Sequence, residues 1–217
     1  MCFHSKQSKD AITVEKRFNA VVKDMVNFKA SGHFNGFEHP ITPVVTSEIP
    51  KEIVHFGWGL IPSWAKNDSI KQHTLNAKIE TLTEKPSFRN SINKRCLVIA
   101  DGFYEWQWLD KKGKNKQKYL ITLPDMGLYA YAGIWSEWKS NITGEIVKTY
   151  SIITTEATGI MREIHNSKLR MPVILSPENE QLWLQNAPLE LFGKVELELQ
   201  AEKIGAEPMM GLFDGFF

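Results

Sequence analysis

Cysteine is scarce in this sequence, with only Cys2 and Cys96 among 217 residues. Two cysteines exclude a disulfide-stabilised secreted scaffold, so the reducing cytoplasm is the simplest expectation. Long apolar runs are also missing, because no stretch approaches the roughly 18 residues that a transmembrane helix needs. The first residues, through Lys16, lack the apolar block of a secretory signal. We therefore expect no membrane partner.

The sequence has almost no net charge, a formal +1 at pH 7, but its charges are unevenly distributed. Residues 61–120 contain 12 Lys and Arg against 6 Asp and Glu, whereas residues 156–217 contain 5 against 10. The middle of the chain is therefore the candidate surface for a polyanion. On charge alone, a solvated lysine-rich exterior is the simpler interpretation.

The composition and the apolar spacing predict a globular protein with few helices. Hydrophobic residues make up 42% of the chain and charged residues 24%, which is typical of a domain with a substantial core. Apolar residues at helical spacing, together with an early proline in the last segment, predict helices over residues 10–27, 84–94, 158–165 and 177–184.

Extended segments outnumber the helices. Strands are predicted over residues 53–59, 95–108, 119–123, 128–138, 147–155 and 173–175. Residues 30–50, rich in Gly, Pro, Thr and His, are predicted as a long loop with short extended pieces. Because most strands follow one another as hairpins, we expect a single α+β domain over residues 2–217. Its centre would be a mainly antiparallel, curved or barrel-like sheet with flanking helices.

Cys2 is a candidate for chemistry because of its position. Removal of Met1 would leave a cysteine with an α-amine of reference pKa near ~8 and a thiol near ~8.5. The amine can form a Schiff base with an aldehyde, and the thiol can close on the imine carbon to give a five-membered thiazolidine. The alternative is a small buried cysteine behind a retained Met1, which position alone favours.

Several segments follow Cys2 in a fixed order. They are residues 58–65 (WGLIPSWA), 76–81 (NAKIET), 86–89 (PSFR), 95–97 (RCL), 101–106 (DGFYEW) and 170–175 (RMPVIL), the last preceded by His165. In this order they closely resemble the SOS response-associated peptidase (SRAP) family, whose pattern is MCGR, WGLIPxW, NARxET, RCLxPxxGFYEW and a His before RMPxIL. The resemblance extends from Cys2 to about Trp183.

This resemblance implies an abasic-site processing protein of the DNA damage (SOS) response that binds single-stranded DNA. Family members capture the open-chain aldehyde of an abasic site as a thiazolidine crosslink, and they are credited with autoproteolysis and with reversing the crosslink. By the same resemblance, Cys2 is the nucleophile, Asn76 orients it, Glu105 is a general acid/base and His165 assists proton transfer. We expect a cytoplasmic, nucleoid-associated monomer without cofactor or metal.

The reaction independently needs these residue types. Opening the closed sugar and losing water from the carbinolamine both require a proton donor, such as a carboxyl with a raised pKa or a histidine near neutrality. The apolar neighbours of Glu105 would desolvate it and raise its pKa. Without the resemblance, Glu105 would be an outward-facing strand residue, and His165 would interact with a helix dipole.

Binding of single-stranded DNA needs aromatic platforms and a cationic track. The predicted DNA-binding residues are His4, Trp64, Lys78, Arg89, Thr154 and Arg170. Trp64 is the stacking or wedge candidate, because it follows Pro62 and Ser63 in a loop. The lysine-rich hairpin at residues 111–118 is predicted to be solvated.

The sequence departs from the family pattern at four places. Phe3 and His4 stand where the pattern has Gly and Arg, which crowds the nucleophile and weakens a phosphate clamp. Lys78 replaces an Arg and loses its bidentate fork. His165 lies five residues before Arg170 instead of two. The match is poor after Trp183, where the chain ends in the apolar residues 209–217.

Two other functions stay open from the sequence. An N-terminal-nucleophile hydrolase of the amidotransferase type would also use Cys2, but it does not explain the ordered segments. A single-stranded DNA or RNA-binding module would leave Cys2 inert. A metal site of Cys2, His4 and Cys96 lacks a second close-spaced pair and a fourth ligand.

Overall fold

The computed structural model describes residues 2–195 and 197–205. The strands are β1 (His4–Gln7), β2 (Val21–Val22), β3 (Ser31–Asn35), β4 (Ile41–Thr46), β5 (Glu52–Trp58), β6 (Asn76–Lys78), β7 (Arg95–Ala100), β8 (Gly102–Trp108), β9 (Lys116–Thr122), β10 (Tyr129–Lys139), β11 (Ile146–Glu156), β12 (Arg170–Pro172), β13 (Ile174–Leu175) and β14 (Gln200–Ile204). The α-helices are α1 (Ala11–Phe18), α2 (Ile160–Ile164) and α3 (Pro177–Leu184). Short 3-10 turns occupy Gly36–Glu38, Asp68–His73, Ile79–Thr81, Arg89–Ser91 and Leu189–Phe192.

Strands β4, β5, β7, β10 and β11 form a closed barrel. Antiparallel pairing joins β5 to β4, β4 to β7, β7 to β10 and β10 to β11. A short parallel contact between β11 and β5, with Tyr150 opposite Trp58, closes the ring. The prediction of an α+β fold around a mainly antiparallel, barrel-like sheet is confirmed. The parallel closure was not predicted, because no local pattern relates two strands so far apart in sequence.

A second, antiparallel sheet has the strand order β14–β9–β8–β1–β3. The chain passes from barrel strand β7 into β8 of this sheet at Asp101, which is buried. The Asp101 carboxylate accepts hydrogen bonds from Lys6 Nζ (2.6 Å) and from the Ser8 hydroxyl (2.6 Å). These bonds fix β1 against β8, with His4 opposite Tyr104. The residues just before β1 therefore lie beside the middle of β8.

The core consists of two main apolar clusters. One cluster includes Val14 of α1 and Trp183 of α3, which pack with barrel residues such as Ile134. The other contains Trp58 and Tyr131 together with Cys2. No helix in residues 2–195 and 197–205 has the length and apolar character to cross a membrane.

The helix predicted over residues 10–27 is shorter in the structure. It ends at Phe18, because Asn19 adopts the left-handed conformation (φ 49°) and caps the helix. The chain continues into β2, which pairs in parallel with β5. Val21 and Val22 thus serve a strand, which suits β-branched side chains, and the prediction of a helix there was wrong.

Two other segments differ from the prediction. Residues 84–94 contain no α-helix, because the N–H groups of Phe88 and Arg89 both donate to the carbonyl of Lys85 and wind the chain into successive turns. Residues 30–50 contain two full strands, β3 and β4, where mostly loop was predicted. Val44 and Val45 of β4 are buried in the core, although Pro43 beside them weakens the strand pattern. The apolar tail at residues 209–217 lies outside the described residues.

Candidate active site

Cys2 is completely buried, with 0% of its surface exposed. It belongs to the apolar cluster of Trp58, Phe103 and Tyr131. Burial raises the pKa of its thiol to about 12, and the nearby Glu105 carboxylate adds to the rise. In this chain, which carries Met1, the thiol is therefore protonated at neutral pH. The reference pKa near ~8.5 applies to the thiol of an exposed, processed Cys2, and that form stays a prediction.

Asn76 holds the backbone of Cys2. It begins β6, which pairs in parallel with β11, so that Asn76 lies opposite Ile152. The side-chain Nδ2 of Asn76 donates a hydrogen bond to the Cys2 carbonyl oxygen at 2.8 Å. The other side-chain atom, Oδ1, is buried and has no hydrogen-bond partner among the described residues. Buried polar atoms are usually hydrogen-bonded, so this oxygen is a candidate acceptor for a new donor near Cys2.

Glu105 and His165 form a second pair beside Cys2. Glu105 lies in the middle of β8 with 8% exposure, and His165 follows α2 with 5% exposure. Burial raises the pKa of the Glu105 carboxyl and lowers the pKa of His165 to about 4. The Glu105 Oε1 atom accepts a hydrogen bond from the N–H of Trp106 at 3.2 Å.

The turn after α2 determines the orientation of the His165 ring. The backbone N–H groups of Lys168 and Leu169 donate to the His165 carbonyl, and Leu169 takes a left-handed conformation (φ 53°). The chain thereby returns, and the N–H of Arg170 donates to His165 Nδ1 at 3.0 Å. The neutral ring must then carry its proton on Nε2, which faces Glu105. The long spacing between His165 and Arg170 is thus accommodated by a turn.

Arg170 is already engaged in a charged network. Its guanidinium donates to both carboxylate oxygens of Glu80, at 2.8 and 2.9 Å, and to the Thr154 carbonyl at 2.7 Å. Thr154 itself is 0% exposed, and its hydroxyl donates to the Ala77 carbonyl. Thr154 is therefore buried beneath the Arg170 side chain and contacts it through its carbonyl oxygen.

The other predicted DNA-binding residues are at the surface. Lys78 and Arg89 are exposed. Trp64 is 52% exposed, and its Nε1 donates to the Pro86 carbonyl at 3.3 Å. His4 is half-buried, and its burial lowers the ring's pKa to about 4, so it is neutral at pH 7.

A group of hydroxyls near Cys2 was not predicted from the sequence. The Tyr131 hydroxyl donates to the Gly102 carbonyl at 3.1 Å and lies 3.2 Å from the Tyr129 hydroxyl and 3.3 Å from Ser5 Oγ. The signal was present in the alternation of β10, where Tyr129 and Tyr131 share one inward face. Among the described residues, no three His, Cys, Asp or Glu side chains are grouped to hold a metal ion.

Comparison with known proteins agrees with the family pattern. A family model described as SOS response associated peptidase (SRAP) matches residues 1–206. Abasic site processing protein YoqW of Bacillus subtilis is 42% identical over 159 residues, which are 69% of this chain and 68% of YoqW.

More distant relatives share the same fold or part of the sequence. Abasic site processing protein HMCES of Gallus gallus is 34% identical over 176 residues, covering 70% of this chain and 51% of HMCES. A solved structure of a protein from Bacteroides thetaiotaomicron superimposes with a TM-score of 0.84 at 36% identity, over 94% of this chain and 92% of that one. The chain belongs to the SOS response associated peptidase (SRAP) family.

Proposed function

We propose that this protein processes abasic sites in single-stranded DNA by covalent capture at Cys2. The relatives named as abasic site processing proteins support the choice of lesion. The observation that carries the chemistry is the convergence on Cys2 of three side chains from distant segments. Asn76 binds its carbonyl, Glu105 acts on its thiol electrostatically, and His165 faces Glu105.

The first step is removal of Met1 by hydrolysis of the Met1–Cys2 peptide bond, which matches the peptidase in the family's description. The step consumes one water and turns the Cys2 amide into an α-amine with a reference pKa near ~8. The new amine adds N–H donors near Asn76 Oδ1, an atom with no hydrogen-bond partner in the part of the chain that the structure describes. Processing therefore completes the hydrogen bonding of the site as well as creating the nucleophile.

The capture reaction releases one water in total. The amine nitrogen attacks the aldehyde carbon, and the carbinolamine loses its hydroxyl as water to leave a C=N bond. The thiol sulfur then adds to the imine carbon, and the thiol proton ends on the ring nitrogen. A positively charged iminium beside the thiol would lower the high thiol pKa at the moment when the thiolate is needed. Addition of one water reverses the sequence and releases the DNA.

Glu105 is the proposed general acid/base. A raised pKa lets a carboxyl hold a proton at a higher pH than usual and deliver it to the leaving hydroxyl. Because the pKa of His165 is lowered to about 4, His165 acts as a neutral ring. Its Nε2 lies 3.8 Å from Glu105 Oε2 and would close to a hydrogen bond once the proton has left, which would stabilise the carboxylate charge.

DNA would be bound by residues around this site. Lys78 and Arg89 offer exposed cations, and Trp64 offers an exposed ring for a base. The Arg170 guanidinium would bind a phosphate while it remains hydrogen-bonded to the Glu80 carboxylate and to the Thr154 carbonyl. The residues proposed for the reaction, Cys2, Asn76, Glu105 and His165, all belong to one chain, so we propose that a monomer carries it out.

A binding-only function has one observation in its favour, the 0% exposure of Cys2. In that case the protein would hold single-stranded DNA and the thiol would remain inert. The two functions differ in one product: capture leaves a covalent adduct, whereas binding does not.

The test uses uracil-containing single-stranded DNA treated with a glycosylase. Intact mass first establishes that Met1 is absent from the purified protein. We expect a shifted band that survives heating and denaturing electrophoresis, is absent with Cys2→Ala and is retained with Cys96→Ala, the matched change at the other buried cysteine. Equal noncovalent binding without a covalent band would establish the binding-only function, and ammonia release from glutamine would establish an amidotransferase.

A further inference from the structure

One face of the second sheet carries rings and lysines that the proposed chemistry does not use. Along β8, Phe103 and Glu105 are buried, so the alternating side chains Tyr104 and Trp106 point to the opposite, outer face. The ring-and-lysine face is defined as His33 of β3, His4 of β1, Tyr104 and Trp106 of β8, and Lys118 of β9. These strands are neighbours in the sheet, so the five side chains form one continuous surface.

Two histidines lie side by side at one end of this face. The rings of His4 and His33 lie 5.0 Å apart at an interplanar angle of 11°, and a hydrogen bond of 2.9 Å joins His4 Nδ1 and His33 Nε2. Trp106 meets His4 edge-on at 4.7 Å, and Tyr104 meets His33 edge-on at 5.2 Å. The Tyr104 hydroxyl also donates to the carbonyl of Gly32, which holds the start of β3 in place. The histidine pair is therefore held in place by contacts with Trp106 and Tyr104.

His33 is the outer member of this pair, because β3 is the edge strand of the sheet. His33 is exposed, its ring is nearly coplanar with that of His4, and Tyr104 meets it edge-on. A flat aromatic surface that is fixed on one side and open to solvent on the other suits a further stacked ring.

Lys118 of β9 brings a positive charge to the rings of Tyr104 and Trp106. Lys118 Nζ is 4.3 Å from the centre of the Tyr104 ring and 5.5 Å from that of Trp106. Lys116, two residues earlier on β9, lies 5.5 Å from the Trp108 ring. Both lysines lie over rings, but Lys116 is exposed, as predicted for a solvated hairpin, whereas Lys118 is half-buried. The Glu38 carboxylate, which accepts a hydrogen bond from Asn35 Nδ2 at 3.0 Å, lies near the two histidines and gives that end a negative charge. The positive charge of the face is therefore at the Lys118 end.

We propose that the ring-and-lysine face binds the single-stranded DNA that flanks the abasic site, with a base stacked on His33 and a phosphate against Lys118. Single strands fit this surface because their bases are free to stack and their phosphates need isolated cations, whereas a duplex keeps its bases paired inside. The face includes His4, two residues after Cys2, so its near end lies within about 7 Å of Cys2 along the backbone. The choice of DNA rests on the proposed function, and the location of the flanking nucleotides goes beyond it.

The test measures noncovalent binding of undamaged fluorescent oligothymidylate by anisotropy across a salt series. We expect Lys118→Ala to reduce the slope of log affinity against log salt by about 0.7, because one phosphate contact is lost. We expect His33→Ala to weaken binding about tenfold with little change in slope, because stacking is sensitive to the ring and not to salt. His33→Phe keeps a ring and should bind like the unmodified protein.

The control is Lys51→Ala, which removes the same charge from an exposed position between β4 and β5. Thermal unfolding of each variant verifies that it is folded. Binding by His33→Ala and Lys118→Ala that matches Lys51→Ala would overturn the proposal, as would equal loss in His33→Phe and His33→Ala or equally tight binding of a blunt duplex. Undamaged DNA has no aldehyde, so a failure of capture at Cys2 would leave these results interpretable, and the reverse also holds.

Discussion

The Nε2 atom of His165 lies 3.8 Å from Oε2 of Glu105, and the opposite ring nitrogen, Nδ1, is occupied by the N–H of Arg170. The hydrogen bond from Arg170 determines which atom faces Glu105 with a proton, because a ring nitrogen that accepts a hydrogen bond cannot carry the proton of a neutral imidazole. That proton is therefore on Nε2. Burial raises the pKa of Glu105 and lowers that of His165. Of the two groups, the carboxyl is therefore shifted toward holding a proton and the imidazole toward its neutral form.

Substitution of this pair should separate the acid from its support. We expect Glu105→Gln to slow crosslink formation by on the order of a hundredfold or more, since it removes general acid/base catalysis but keeps the size of the side chain. His165→Leu, which has no hydrogen-bond donor, should slow crosslink formation about tenfold, because a donor to a charged group contributes about 1.5 kcal/mol. The measurement is the single-turnover rate at saturating abasic-site DNA. A Glu105→Gln protein that reacts at the unmodified rate would remove Glu105 from the mechanism.

Asn76 should affect the reaction rate more than the affinity for DNA. Its Nδ2 fixes the Cys2 carbonyl at 2.8 Å, so Asn76→Ala would let the nucleophile rotate and leave that carbonyl without its donor. We expect the crosslinking rate at saturating DNA to fall about tenfold, with noncovalent affinity unchanged within about twofold. Asn141→Ala is the matched control, since Asn141 Nδ2 also donates to a backbone carbonyl but on the exposed turn between β10 and β11. A loss confined to affinity would contradict a positioning role.

Tyr131 should affect the second covalent bond and not the first. Burial dominates the high pKa of the Cys2 thiol, and a hydrogen bond with Tyr131 acts in the opposite direction. Tyr131→Phe removes that bond, so the thiolate becomes harder to form while the amine is untouched. We expect more imine that borohydride can reduce and less heat-stable thiazolidine, both quantified on the same denaturing gel. Tyr119→Phe, which loses a hydroxyl bond to Gln107, is the control. An unchanged ratio of the two products would contradict the prediction.

Much of the barrel could be predicted from the sequence because its strands carry local signals. The strand around residues 95–108 combines an apolar run with the break at Asp101, and the structure has β7 and β8 there. The helix over residues 10–27 was overestimated, because the spacing of Val21 and Val22 fits a helix and a short strand equally well. Only the left-handed conformation of Asn19 separates the helix from the strand. The spacing of apolar residues carries no information on whether an asparagine adopts that conformation.

The candidate site was named from ordered motifs, but its physical state depends on contacts between distant segments. The motifs indicated Cys2 and Glu105, and the structure brings them together. The complete burial of Cys2 could not be predicted, since its neighbours Trp58 and Tyr131 come from β5 and β10. The same limit applies to the ion pair of Arg170 with Glu80, which lie on β12 and in a 3-10 turn.

The stability of the folded protein should depend on pH through the same pair, with opposite signs for its two members. His165 has its pKa lowered from 6.5 to about 4, so the unfolded chain binds this proton more readily than the folded one. Stability from the neutral ring is then present above pH 6.5 and is lost as the pH falls toward 4. The pKa of Glu105 is raised, so its contribution has the reverse sign and is lost as the pH rises through the folded-state pKa.

Urea unfolding between pH 7 and 4 measures both contributions. We expect His165→Gln to lose less stability on acidification than the unmodified protein, by about 2 kcal/mol once solvent screening is allowed for. Glu105→Gln should lose more, because it lacks the group that binds a proton more tightly when folded. His4 is a further acid-sensitive ring, since its pKa is also lowered to about 4, and it sets a background that both variants share. Parallel curves for the two variants would show that the pair does not titrate as described, whereas curves that diverge to either side of the unmodified protein require a carboxyl that gains its proton on folding beside an imidazole that resists one.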